Sequence, residues 1–207
     1  MPLDTSSVPN IAVDATTRGP VCLQSTPPWS VDSSEGMIQS EDCLVLDVIT
    51  LSIPKSSALP VMVQIHGGGT SHRYSSIIYS STILTRLCVH QGYVTGSTIT
   101  SPGESLVYHS RGNLIYVAIQ YRLGPLGFLG GQEVPQDGSW NVGLLDQRLA
   151  LEWVQKNIHY FGGDASKVTI AGGSAGGGSV TMQLMLRGGE ESPPFRAAIS
   201  GKNNQYS

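Results

Sequence analysis

Apolar residues in this chain fall into short, β-branched runs separated by longer stretches of helical period. Cys43–Thr50 and Val61–Ile65 read as strands, parted by a turn of proline, serine and lysine. Leu114–Gln120 is apolar nearly throughout, as expected of a strand buried on both faces of a parallel sheet. Leu144–Asn157 carries Leu145, Leu149 and Trp153 four residues apart, which predicts a helix with one apolar stripe. Val168–Ala171 is a further strand, and Ala175–Arg187 predicts the helix that leaves it. Strands alternating with helices predict an α/β fold, a mostly parallel sheet covered by helices.

The junction between the last strand and helix carries the first candidate chemistry. Residues 168–178 read VTIAGGSAGGG, the form of a nucleophile elbow, in which a sharp strand-to-helix turn presents Ser174 to a substrate. Glycines flank the serine because such a turn is strained and brings neighbouring backbones too close for side chains. The pattern alone is weak in a chain holding 25 glycines. A second turn adds to it. The run Leu59–Ile65 ends in His66-Gly67-Gly68-Gly69, and a glycine-rich turn after a parallel strand can aim bare N–H groups at a developing oxyanion. Taken alone, this stretch reads equally well as a flexible turn. The two turns on one chain, in this order, point to acyl transfer.

Composition narrows the alternatives. Charged residues make up 13% and the net charge is −3. No basic run suggests nucleic acid, and no apolar stretch is long enough to span a bilayer as a helix. No metal or organic cofactor is expected: there is no Cys/His cluster at ligand spacing and no GxxxxGK[ST] loop. The glycine turns also lack the G-x-G-x-x-G spacing of a dinucleotide site.

Four stretches, SEDCLVLDVIT (40–50), VMVQIHGGG (61–69), NLIYVAIQYRLGPLGFL (113–129) and 141–177, resemble the type-B carboxylesterases and lipases, the family that includes the cholinesterases. The resemblance implies an α/β-hydrolase fold, of which residues 1–207 are the N-terminal half of a partial domain. It makes Ser174 the nucleophile of an acyl-enzyme mechanism and the backbone N–H groups of Gly68, Gly69 and Ala175 the oxyanion hole. The implied substrate is a small carboxylic ester or lipid. In this fold the acid and histidine follow the serine in sequence. After Ser174 the chain offers Glu190 and Glu191 but no histidine. His66, His159 and His109 read as turn, helix-end and loop residues, so the chain by itself is expected to be inactive. Asp164 reads as a loop-capping residue, and Asp146 with Arg148 as a structural pair. The resemblance also implies a Cys22–Cys43 disulfide and a secreted full-length relative, although no export signal is seen here. The alternative is a non-catalytic cholinesterase-like binding or adhesion module, or a non-functional truncated product. Retention of Ser174 with both turns favours the esterase.

The chain departs from the family in two places. Relatives pass from the HGG turn directly into a loop resembling GYVTGS, whereas here residues 69–91 intervene; deleting them restores HGG-GYVTGS. This stretch lacks helical or strand period and holds the third cysteine, Cys88. Gly-Thr at its start and His90-Gln91 at its end are codable as a splice donor and acceptor, so a retained intron is the expectation and a genuine surface loop the alternative. Residues 201–207 likewise read as a non-family tail. Gly173 replaces a frequent glutamate and Gln120 a frequent asparagine, and both read as structural changes.

Overall fold

The computed structural model describes residues 15–25, 36–51, 58–68, 92–189 and 192–201. The expectations for 69–91 (Gly69 included), for Glu190 and Glu191, and for 202–207 lie outside the described residues.

Among those described, β1 (Val21–Cys22) and β2 (Gln39–Ser40) form a short parallel ribbon. The main sheet contains β3 (Leu46–Ile49), β4 (Leu59–Ile65), β5 (Ile115–Ile119), β6 (Gly163–Gly173) and β7 (Ala197–Gly201). Its order is β3-β5-β4-β6-β7, and every pairing is parallel except β3 against β5. Helices α1 (Glu104–His109), α2 (Gly124–Phe128), α3 (Val134–Asp137), α4 (Val142–Asn157) and α5 (Ala175–Met185) intervene between strands or pack upon them. The expected α/β architecture with a mostly parallel sheet is therefore present.

Central position explains strand composition. Each residue of β5 is buried, as its continuous apolar run requires. Val61, Val63 and Ile65 of β4 join Leu151 and Val154 of α4 and Val180 of α5 in one core. Because β4 lies between β5 and β6, its carboxyl end opens mid-sheet beside that of β6. The two glycine turns therefore emerge next to each other.

Several boundaries differ from the sequence pattern. β3 starts only at Leu46, because Val45 N–H turns back to Cys43 O (2.7 Å) and Cys43 is tied to Cys22. β6 starts at Gly163, well before Val168, and α4 starts at Val142 rather than Leu144. α5 ends at Met185 in a 3-10 turn over Leu186–Gly188.

The largest correction concerns the orientation of α4. Leu145 and Leu149 are 39% and 49% exposed, while Asp146, Gln147, Leu151 and Val154 point inward. A partly polar face can be buried here because its groups are paired. Asp146 does not partner Arg148, as the sequence suggested. It takes a two-pronged bond from Arg122, Nη2 to Oδ1 at 2.6 Å and Nε to Oδ2 at 2.8 Å, plus the Arg122 N–H at 3.1 Å. Arg148 instead lies 3.7 Å from Glu152 one turn along. Fork-shaped guanidinium binding offsets the cost of burying the carboxylate.

The Cys22–Cys43 disulfide is present and staples the small ribbon to the entrance of β3, across 21 positions of sequence. A crosslink of that span contributes about 3 kcal/mol by restricting the unfolded chain. Replacing both residues in Cys22→Ser/Cys43→Ser should lower the urea unfolding free energy by roughly that amount. Reductant should weaken the native chain to the same level and leave the double variant unchanged.

Candidate active site

β6 runs through Ala171-Gly172-Gly173 and α5 begins at Ala175, so Ser174 alone must reverse the chain. It does so at φ 56°, ψ −124°, in left-handed space that a side chain rarely occupies. Such backbone costs on the order of 1–3 kcal/mol and persists only when its surroundings over-determine it. They do so here. Ser174 N–H donates to Gly201 O at the end of β7 (3.0 Å), and Ser174 O accepts the Gly178 N–H (3.0 Å). Ser200 Oγ donates to Gly177 O (2.9 Å), fastening β7 to the first turn of α5. Ser174 itself is exposed, between half-buried Gly173 and buried Ala175.

Small residues let the helix approach the sheet. A Cβ on Gly176 would overlap the Ile65 carbonyl oxygen, so α5 rides directly over the end of β4. On its other side α5 is anchored to α4 by buried amides. Gln147 Nε2 donates to Ser179 Oγ (2.9 Å), and Gln183 Nε2 donates to Leu144 O (2.8 Å).

The turn after β4 meets the elbow edge to edge. A Cβ on Gly67 would lie 2.8 Å from Gly173 O and 3.4 Å from Ser174 Cβ. A third segment, Gly92–Ser97, closes around the same turn. A Cβ on Gly68 would lie 2.5 Å from Tyr93 N, and Thr95 Oγ1 donates to Gly68 O at 3.0 Å. A Cβ on Gly92 would lie 3.4 Å from Ala175 Cβ. Sequence reasoning gave this third segment no role. Its only signal was the GYVTGS likeness, which does not say what the loop touches. Ala175 opens α5, where an N–H has no intrahelical acceptor and the helix dipole is positive. Ser174, Gly67, Gly68 and Ala175 are thus gathered in one place.

His66 is fully buried at the root of the turn. Its ring stacks on Tyr121 with centroids 4.3 Å apart and planes 16° from parallel. Tyr121 Oη donates to His66 O (2.7 Å), and burial pushes that phenol's pKa up. His66 Nδ1 lies 3.1 Å from Gly67 O. Burial pushes the imidazole pKa down to about 4, only partly opposed by that backbone bond. His109 and His159 are exposed on other elements. Among the described residues, none of the three histidines hydrogen-bonds Ser174. Asp164, expected in a loop, falls instead at the start of β6, where it caps its own neighbours. Its Oδ1 accepts from Ser166 Oγ (2.6 Å) and Ser166 N–H (2.9 Å), and its pKa is pushed down to about 2 chiefly by these bonds and that to Lys167.

The buried imidazole has a signature in acid. Its folded pKa lies below its unfolded value, so between pH 6.5 and about 4 the unfolded chain gains a proton that the folded chain refuses. Stability contributed by the neutral ring is present above pH 6.5 and is lost as pH falls through that window, by roughly 3 kcal/mol at the bottom. His66→Phe should show a shallower loss of urea stability between pH 7 and pH 4.5 than the native chain. Parallel slopes would contradict a buried neutral ring.

Comparison with known proteins agrees with this geometry. The model of the carboxylesterase family matches residues 6–205. Carboxylesterase patB of Aspergillus clavatus is 42% identical over 79% of this chain and 28% of its own length. Lipase 4 of Diutina rugosa is 38% identical over 89% of the chain and 34% of its own length. The crystal structure of Aspergillus niger EstA superposes with a TM-score of 0.69 and 35% identity, covering 90% of this chain and 31% of that one. This chain therefore spans about a third of the length of such relatives. With an incomplete α/β-hydrolase sheet, the interlocked glycine turns and a match over nearly its whole length, the chain belongs to the carboxylesterase family.

Proposed function

We propose that this chain supplies the nucleophile and oxyanion half of a serine ester hydrolase. Ser174 Oγ attacks the ester carbonyl, forming a C–O bond, while the carbonyl electron pair moves onto oxygen. Backbone N–H groups of Gly68 and Ala175 donate hydrogen bonds to the resulting oxyanion. Collapse of the intermediate expels the alcohol and leaves an acyl-enzyme, which water then hydrolyses. The serine proton passes through a histidine oriented by an acid. No described histidine reaches Ser174, and the chain covers about a third of its relatives' length. With no described histidine bonded to Ser174, the described residues do not complete this relay, and residues 1–207 alone are read as inactive.

The observation that carries this reading is Ser174 held at φ 56° against the Gly67–Gly68 turn. A binding or adhesion module has no need to maintain that strain or an exposed hydroxyl at its apex. The substrate class is a small-molecule carboxylic ester or a lipid, in keeping with relatives called carboxylesterase and lipase. The disulfide supports an oxidising, secretory location. Among the described residues no helix is long and apolar enough to cross a membrane.

A serine-directed fluorophosphonate on the full gene product containing this chain separates the two readings. Labelling at Ser174, abolished in Ser174→Ala, is the expected result. Folded protein that stays unlabelled would favour the binding module. Residues 1–207 alone should hydrolyse p-nitrophenyl butyrate no faster than their Ser174→Ala variant.

Residues 69–91 are read as an insertion, the product of a retained intron. The support is that its described flanks meet. Gly68 packs on Tyr93, so the chain leaves and returns at one point. Removing 69–91 should leave the unfolding free energy at pH 7 within about 1 kcal/mol of the native chain. Transcripts lacking those codons would establish the origin, and a deletion variant that fails to fold would refute the reading.

A further inference from the structure

His66 Nδ1 faces the Gly67 carbonyl oxygen at 3.1 Å, and that oxygen can only accept. Nδ1 must therefore carry the proton, and in a neutral ring Nε2 must not. Nε2 is buried and has no partner among the described residues, so nothing competes for the proton there. The ring itself cannot turn away. Tyr121 stacks on its face, and Gly96, at φ +124°, packs so closely that a Cβ there would overlap both Gly67 O and His66 Nδ1.

This bond has a consequence one atom group further along the chain. The described chain contains no cis peptide bond, so the Gly67 carbonyl and the Gly68 N–H are antiparallel members of one plane. Holding the carbonyl toward the imidazole forces the N–H to the opposite side, away from the aromatic layer. Such a constraint matters between two glycines, whose peptide rotates at little steric cost. A flipped peptide would present a carbonyl oxygen where a donor is needed, and oxyanion donors must sit close to their productive position. Thr95 Oγ1 holds the following carbonyl, that of Gly68, in the same manner.

We propose that His66 is the positioning residue of the oxyanion turn, its Nδ1–H fixing the Gly67 carbonyl and thereby the direction of the Gly68 N–H. The proposal rests on the reading that Gly68 N–H receives the oxyanion, but its structural half can be tested without any ester. Nitrogen-15 NMR of the native chain at pH 7 should show His66 protonated at Nδ1 and bare at Nε2. Two variants then separate positioning from packing. His66→Phe keeps the stack on Tyr121 and loses the donor, whereas His66→Asn loses the stack and keeps an N–H near the Nδ1 position. Positioning predicts that the Gly68 amide dipolar coupling changes or splits in His66→Phe and returns toward native in His66→Asn. Packing alone predicts the reverse order. On the full gene product, His66→Phe should slow fluorophosphonate labelling of Ser174 by about 10- to 100-fold, with His66→Asn recovering most of the loss. An Nε2-protonated ring, or a Gly68 amide indifferent to His66→Phe, overturns the proposal even if Ser174 labels well. Failure of the native protein to label would instead refute the esterase reading and leave the NMR result to decide on His66.

Discussion

At the carboxyl end of β4, the Ile65 carbonyl oxygen lies where a Cβ on Gly176 would have to sit. That contact holds the first turn of α5 directly over the middle of the sheet. It leaves one short, strained residue to join β6 to the helix. Ser174 takes φ 56° because no other path links a strand ending at Gly173 to a helix so close to β4. The same closeness brings Gly67 against Gly173 O. Ser174 and the Gly67–Gly68 turn are neighbours because two strands are neighbours and α5 lies tight against the end of β4.

Strain at one residue has to be supported by many ordinary interactions elsewhere. β7 caps the elbow through Gly201 O, and Gln147 and Gln183 tie α5 back to α4. Arg122, just beyond β5, grips Asp146 of α4 by three hydrogen bonds. Most atoms of these buried polar groups are paired, Gln183 Oε1 excepted, so their value lies in fixing one geometry more than in adding net stability. His66 belongs to the same economy of position. Its ring, Tyr121 and Gly96 form a sealed layer beneath the turn that faces Ser174.

Much of this was legible in the sequence. The β-branched runs marked β4, β5 and β6, and the spacing of small residues marked both turns, because close backbone approach leaves no choice but glycine. The pairing of Cys22 with Cys43 was legible only through family resemblance. Periodicity misplaced α4, since Leu145 and Leu149 form a regular stripe that the fold turns outward. The inward face is Asp146 and Gln147, whose partners are 24 and 32 residues away and invisible to any local pattern. His66 was recognisable as a turn residue, but its role depends on Tyr121 and Gly96, and no local pattern announces either contact.

On the proposed reading, this fold preorganises Ser174 and its neighbouring N–H groups before any histidine is supplied. A thiol at that position needs no histidine to become nucleophilic at mildly alkaline pH. The direct measurement is the acylation rate of Ser174→Cys by p-nitrophenyl acetate, in a Cys88→Ser background with the disulfide intact. It would be compared with the same thiol in urea-unfolded chain, with glutathione as the reference for solvent effects. Preorganisation predicts one acyl group per chain, at residue 174, formed at least ten times faster in the folded protein. Equal rates in folded and unfolded chain would contradict it.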